Sequence, residues 1–311
     1  MNASVRDVIT PTYEVSQGLV YLRKLEVQVA FSCNLSCSGC VHGSPASRAK
    51  FIDVGDLERD LAVLARHLRV LRFYLLGGEP LLHPQLHALL KVARASGVAR
   101  QVGILTNGVG LERMPDGFFR DIDFINVSRY PGVRLRFTAE EMDRKAERFG
   151  FRFALRDHDE FMTSHLNARI ESSGVVERIY TRCKSRSDWS THTIADGRYY
   201  KCSRSPVLEE RLRASGQCVA SRAGDSVPFR DNPDFVADLV RYLDSPTPME
   251  ACHWCLGSDG ASFPHLLQNK RQAIAEAGAI VHFSPARHLS AVARSELAGV
   301  LDADVAGPCD A

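Results

Sequence analysis

The sequence predicts an α/β fold: a parallel sheet partly closed into a barrel, followed by a smaller and less regular C-terminal unit. Strand-like and helix-like segments alternate from about residue 25 to about residue 155. The strand-like runs are continuously apolar, as in sheets buried on both faces. A polar or glycine-rich cluster follows each run at the same end, where α/β barrels gather their chemistry.

The first strand is expected at LEVQVAF (25–31), running into a cysteine-rich loop. GDLERDLAVLARHL (55–68) places Leu57, Leu61, Leu64 and Leu68 on one helical face, with Asp56 as a cap. VLRFYLL (70–76) is the second strand and ends at GGEP. HPQLHALLKVARASG (83–97) is a helix with a proline in its first turn and Gly97 as its stop. QVGILT (101–106), FINVS (124–128) and RFALR (152–156) are further strands, followed by TNG, SRYPG and DHDE. TAEEMDRKAERFG (138–150) reads as a helix capped by Thr138 and stopped by Gly150. After about residue 165 the rhythm changes. WSTHTIADGRYYKC (189–202) is a hairpin around Asp196-Gly197. Residues 211–233 are loop-rich, 235–245 and 266–279 are helical, and the Ala-rich tail from about 285 has little pattern.

The chain has 311 residues and a net charge of +2. That balance gives no case for nucleic-acid binding, which shows a clustered basic face. No apolar run is long enough for a membrane span. The first residues, MNASVRDVITPTYEV, lack the basic and apolar regions of an export signal. A cytoplasmic protein is expected. Its nine cysteines then suit metal binding or catalysis better than disulfides.

Three of them, Cys33, Cys37 and Cys40, lie in AFSCNLSCSGCVHGSP with the spacing C-x3-C-x2-C. A structural zinc site wants four ligands. Three thiolates suit a cubane iron–sulfur cluster with one iron left for a small molecule; a zinc loop completed by His42 is the plainer alternative. The spacing resembles the signature of the radical S-adenosylmethionine (SAM) superfamily. GGEP, with Gly77, Gly78 and Glu79, looks like the family's GGE segment. Thr106, Asn107, Ser128 and Arg129 fall at strand ends where relatives touch SAM. The resemblance covers residues 25 to about 160. It implies SAM bound to a 4Fe–4S cluster, reductive cleavage to a 5′-deoxyadenosyl radical, and a flavodoxin- or ferredoxin-like electron donor. Relatives often carry an aromatic just before the third cysteine. Gly39 stands there instead, so adenine packing is expected from elsewhere, such as Val41 or His42.

Cys183, Cys202, Cys252 and Cys255 form a second set, C-x18-C and then C-x2-C. Four thiolates fit structural zinc or a fully ligated 4Fe–4S cluster. The pattern is similar to the auxiliary-cluster (twitch) domain of the radical SAM family, as in members that dehydrogenate or epimerise aminoglycoside-type substrates. The fold so implied is a partial (β/α)6 parallel barrel with a small C-terminal twitch domain. Its boundaries would be an extension over 1–24, the barrel core over 25–165, the auxiliary-cluster domain over 166–265, and a helix and tail over 266–311.

Arg129, Arg156, Asp157, His158 and Asp159 at the barrel mouth, with Arg182, His192, Asp259 and His265 near the second set, are mixed in sign. They suit a hydroxyl-rich carbohydrate or an amino-sugar, aminoglycoside-type substrate. Asp157 or His158 is a candidate base. Cys218 is a candidate hydrogen-atom donor, and Cys309 is expected to be idle. The expected reaction is inversion of a carbinol carbon with Cys218 as donor. Oxidation with the auxiliary cluster as electron acceptor is the alternative. Ribosomal peptide maturation is a third reading, disfavoured because residues 1–24 are too few for a winged-helix domain. A zinc-stabilised binding protein is a fourth.

Overall fold

β1 (Tyr13–Ser16) and β2 (Leu19–Ala30) turn around Gln17-Gly18, both at positive φ, in the computed structural model, which describes residues 13–208, 211–212, 216 and 224–305. Cys218 and Cys309 lie outside the described residues. β2 starts six residues before the expected strand, because Val20 and Leu22 are buried as well.

β2, β3 (Leu68–Gly77), β4 (Ala99–Thr106), β5 (Phe124–Arg129) and β6 (Arg152–Asp157) pair in sequence order, all parallel. The sixth parallel strand is β8 (Thr193–Ala195), which lies on the other side of β2. It is one arm of the expected hairpin, with β9 (Arg198–Tyr200) as the other and Asp196-Gly197 at φ 49° and 72°. β10 (Val227–Pro228) closes that edge. The sheet is thus a partial barrel of six parallel strands, extended antiparallel at one edge and by β1.

The helices follow from periodicity and caps. α1 (Val54–Leu64) buries Leu57, Leu61 and Leu64. Its cap is Asp53, not Asp56, whose N–H donates to the Asp53 side chain at 3.0 Å. Leu68 belongs to β3 rather than to the helix. α2 (Leu86–Ala95) starts later than expected, after a 3-10 turn at Pro80–Leu82. A short α3 (Asp116–Arg120) precedes β5. α4 (Ala139–Phe149) has the full capping box of Thr138 and Glu141 and ends on left-handed Gly150.

The C-terminal part builds α5 (Ser173–Arg182), α6 (Phe235–Asp244), α7 (Lys270–Gly278), α8 (Pro285–His288) and α9 (Ala291–Val305). Ala293 and Leu297 of α9 join Val175, Val176 and Ile179 of α5 in a second apolar core, separate from the barrel's. β7 (Glu160–Met162) pairs antiparallel with β11 (Ser262–Pro264). That pairing carries the chain after the second C-x2-C back over the barrel mouth. Among the described residues no helix is long and apolar enough to cross a membrane.

Candidate active site

The first cysteine loop leaves the end of β2 and is clamped by the end of β3. Gly78 N–H donates to Ala30 O at 2.7 Å and Glu79 N–H to Ser32 O at 3.0 Å. The glycines permit this approach. A Cβ on Gly77, at φ 151°, would sit 2.1 Å from Ala30 O, and one on Gly78 would sit 2.2 Å from Ser32 O. The double glycine therefore seats the cysteine loop on the sheet.

Glu79 is fully buried. Its carboxylate accepts from Thr106 Oγ1 (2.5 Å), Asn107 N (2.7 Å) and Leu81 N (3.0 Å). Burial pushes its pKa up to about 7 against the pull of these donors. Asn107 in turn donates from Nδ2 to Asn34 Oδ1 at 2.7 Å and lies 3.6 Å from Cys33 Sγ. Gly77, Gly78, Glu79, Thr106 and Asn107, expected as SAM contacts, thus form one network that positions Cys33.

Two expectations change at the outer strands. Arg129 and Asp157, one a predicted SAM contact and the other a candidate base, pair with each other through both carboxylate oxygens, half exposed. The Arg129 guanidinium holds the Asp157 carboxyl below the usual range, which makes it a weak base. His158 lies 5.8 Å from the Tyr130 ring, and burial lowers its pKa. Ser128 is buried at the end of β5.

The segment after the second C-x2-C lies on the first cysteine loop. Ser38 N–H donates to Leu266 O, and Gln268 N–H donates to Ser36 O. Phe263 packs on Gly39, where a Cβ would be 2.5 Å from the ring. The aromatic that reaches this loop position thus comes from β11. His265 was expected near the second set; its Nε2 instead lies 3.2 Å from Cys37 Sγ, while its ring stacks on Tyr130 at 4.7 Å. His265 Nδ1 is buried without a hydrogen-bond partner. Glu276 of α7 accepts from Ser38 Oγ (2.8 Å), Gly39 N (2.9 Å) and Gln268 Nε2 (2.6 Å). Phe263 and Glu276 gave no local signal; their roles arise from pairing across more than two hundred residues.

Cys183 caps α5, Cys202 follows β9, and Cys252 and Cys255 sit in and just after the short 3-10 helix Glu250–Trp254. All four line one cavity, and each lies within electrostatic reach of the others. Burial first, then the neighbouring sulfurs, pushes the Cys202 thiol up to about 12 and those of Cys183 and Cys252 upward. Two cations lie beside them, Lys201 buried and Arg204 half-buried. Arg204 donates to Gly257 O at 2.8 Å and reaches Cys255 Sγ at 3.5 Å. Lys201, 1% exposed, donates to Tyr180 Oη at 2.7 Å and Tyr242 O at 3.0 Å. Among the described residues neither cation has a carboxylate within 4.0 Å. Cations placed this way fit thiolates that carry negative charge in the working protein. Arg182 and Asp259, expected at this site, pair with each other at 3.0 Å, and His192 is buried against Tyr199.

In the first set, burial raises Cys33 and Cys37 to about 12, and the three thiols reach one another electrostatically. All seven cysteines are free and half-buried. Among the described residues no three His, Cys, Asp or Glu side chains converge on one point as a single ion needs. A 4Fe–4S cluster takes one thiolate per iron and does not require that convergence. The first set offers three thiols and the second four.

Clustered cysteines stand at the top of a parallel partial barrel, and residues 27–152 match the Radical SAM superfamily. The chain is similar to a GTP 3′,8-cyclase of Chlorobaculum tepidum, 34% identical over 141 residues, covering 45% of this chain and 41% of that protein. The corresponding enzyme of Stenotrophomonas maltophilia is 31% identical over 116 residues, covering 36% of this chain and 35% of that protein. The chain thus matches less than half the length of these relatives. Among solved structures, BtrN in complex with AdoMet and 2-DOIA aligns with a TM-score of 0.46 and 17% identity, covering 75% of this chain and 92% of BtrN. SuiB of Streptococcus suis bound to S-adenosylmethionine aligns with a TM-score of 0.32 and 18% identity, covering 44% of this chain and 33% of SuiB.

Proposed function

We propose that the chain is a radical SAM enzyme with two 4Fe–4S clusters that removes a hydrogen atom from a carbinol carbon of a hydroxylated, carbohydrate-type small molecule. The observation that carries this reading is the pair of cysteine sets. Cys33, Cys37 and Cys40 leave one iron open for SAM, whereas Cys183, Cys202, Cys252 and Cys255 line a separate cavity as a full set of four. When bound, the first cluster and SAM supply a 5′-deoxyadenosyl radical as the hydrogen-abstracting agent.

The chain's own residues set the conditions. Glu79 and Asn107 fix the Cys33 end of the loop, and Phe263, His265 and Glu276 cover its Cys37–Cys40 end. Together they hold the loop at both ends, which positions its three thiols.

Inversion of the attacked carbon with Cys218 as hydrogen donor is the proposed outcome. One observation favours the second reading, oxidation to a ketone. Lys201, buried, and Arg204, half-buried, lie beside the second set, and nearby cations favour the state with more negative charge, which supports this site as an electron acceptor. Solvent deuterium at one product carbon supports inversion; a ketone with no deuterium supports oxidation. A flavodoxin- or ferredoxin-like protein is the proposed electron donor.

Iron and sulfide content with electron paramagnetic resonance on anaerobically purified protein tests the two-cluster reading. The wild type is expected to hold about eight irons and the Cys33/Cys37/Cys40 triple Ala variant about four. A variant that still cleaves SAM overturns the assignment.

A further inference from the structure

Beneath the first cysteine loop lies a cavity of about 370 Å³ whose lining includes Cys37, Cys40, His165, Arg211, Glu276 and Arg287. His165 also lines the cavity of the second cysteine set, so it stands in the wall between the two. Its segment is tied to the second set by Leu256 N–H donating to Ser164 O and Leu166 N–H donating to Trp254 O, both at 2.9 Å.

The charges of this cavity are unevenly satisfied. Glu276 is committed to three donors from the cysteine loop and Gln268. Arg211 is half-buried, and among the described residues its side chain makes one hydrogen bond, Nη1 to Cys40 O at 2.8 Å, and has no carboxylate within 4.0 Å. Gly43, at φ 64°, makes room for it: a Cβ there would be 2.8 Å from Arg211 Cγ. Arg287, exposed at the mouth, has no side-chain partner among the described residues. His165 Nε2 is buried and unpartnered. A planar guanidinium fork with spare donors, a second cation at the mouth and a buried, unpartnered imidazole nitrogen suit one ligand chemistry, an oxyanion.

We propose that this cavity binds a carboxylate or phosphate carried by the substrate, with Arg211 as its main grip, His165 donating from the wall and Arg287 attracting it at the mouth. The proposal rests on the reading of the cysteine loop as the SAM site and narrows the substrate to an acidic or phosphorylated molecule. It disfavours a polycationic aminoglycoside. SAM's own carboxylate is the other source of the same chemistry, and the experiment separates the two.

The test is calorimetric titration of the reconstituted holoprotein with SAM, and of the SAM-saturated holoprotein with inorganic pyrophosphate. Wild type, Arg211→Gln, Arg211→Lys and Arg287→Gln are compared, each checked for iron content and cooperative unfolding. The expected result is pyrophosphate binding in the wild type that weakens about tenfold or more in Arg211→Gln, less in Arg287→Gln, and is partly retained in Arg211→Lys, with SAM affinity unchanged. Pyrophosphate that fails to bind, or binds Arg211→Gln as well as wild type, overturns the proposal. So does a loss of SAM affinity in Arg211→Gln with SAM and pyrophosphate competing, since the arginine then serves SAM. Missing iron or absent SAM binding in the wild type counts against the functional reading and is seen separately.

Discussion

Glu79 is buried beyond reach of water and accepts three hydrogen bonds from two different strand-end loops. Its removal strands a hydroxyl and two amides inside the protein. Glu79→Ala is therefore expected to lose about 3 kcal/mol or more in urea unfolding and to lose iron from the first cluster, because Asn107 no longer holds Cys33. Unchanged iron would show that the network is dispensable for the loop. The motif around Glu79 was legible in the sequence, but its role was not: a carboxylate after two glycines reads equally well as a ligand contact or a buried tie. His192 makes a different kind of residue-level prediction. Its ring is buried on Tyr199, with neither nitrogen hydrogen-bonded. Burial, helped by Lys24 and Lys201, lowers its pKa to about 4. The unfolded chain takes up the proton first, at about 6.5, so stability is complete above that pH and falls as the pH drops toward 4. The loss is about 3 kcal/mol for a shift of this size. His192→Phe keeps the ring and removes the titration, so its stability should vary less between pH 7 and pH 4; curves parallel to the wild type would refute the assignment.

At the scale of elements, the contact between β2 and the end of β3 decides whether the cysteine loop can form. A Cβ at Gly77 or Gly78 collides with backbone oxygen, which cannot swing aside as a side chain can. Gly78→Ala is expected to destabilise by about 2–4 kcal/mol, seen as a lower thermal midpoint, and to halve the iron per chain. Gly299→Ala, where a Cβ meets nothing within 4 Å and φ is not left-handed, should leave iron content alone and serves as the control. The elements that sequence reasoning recovered are those whose signal is local. α4 has its cap and stop within its own residues, and the hairpin of β8 and β9 has its Asp196-Gly197 turn. What it missed depends on partners far along the chain. β7 and β11 are three residues each, too short to show a period, and each is a strand only because it pairs with the other. The sixth parallel strand was visible as a hairpin arm, but its place beside β2 was not, since any edge of an open sheet accepts a strand.

Across the whole molecule, the two cysteine sets are built into each other's surroundings. The 163–166 segment lies between their cavities, and residues 262–268 run from the second set onto the first. The C-terminal part therefore supplies groups to the first cluster's loop that the barrel lacks. His265 is the sharpest case. Its ring stacks on Tyr130 and directs Nε2 at Cys37 Sγ. A hydrogen bond to a ligating sulfur stabilises the more reduced, more negative state of a cluster. His265→Phe keeps the stacking and deletes the N–H. The variant is expected to retain all of its iron and the signal of the second cluster, while the midpoint potential of the first falls by on the order of 50 mV, roughly one kcal/mol for one electron. Redox titration followed by electron paramagnetic resonance reads both proposed clusters in one sample. A shift of both potentials would mean that the substitution moved the C-terminal part as a body. No shift at all would mean that the imidazole covers Cys37 without donating to it.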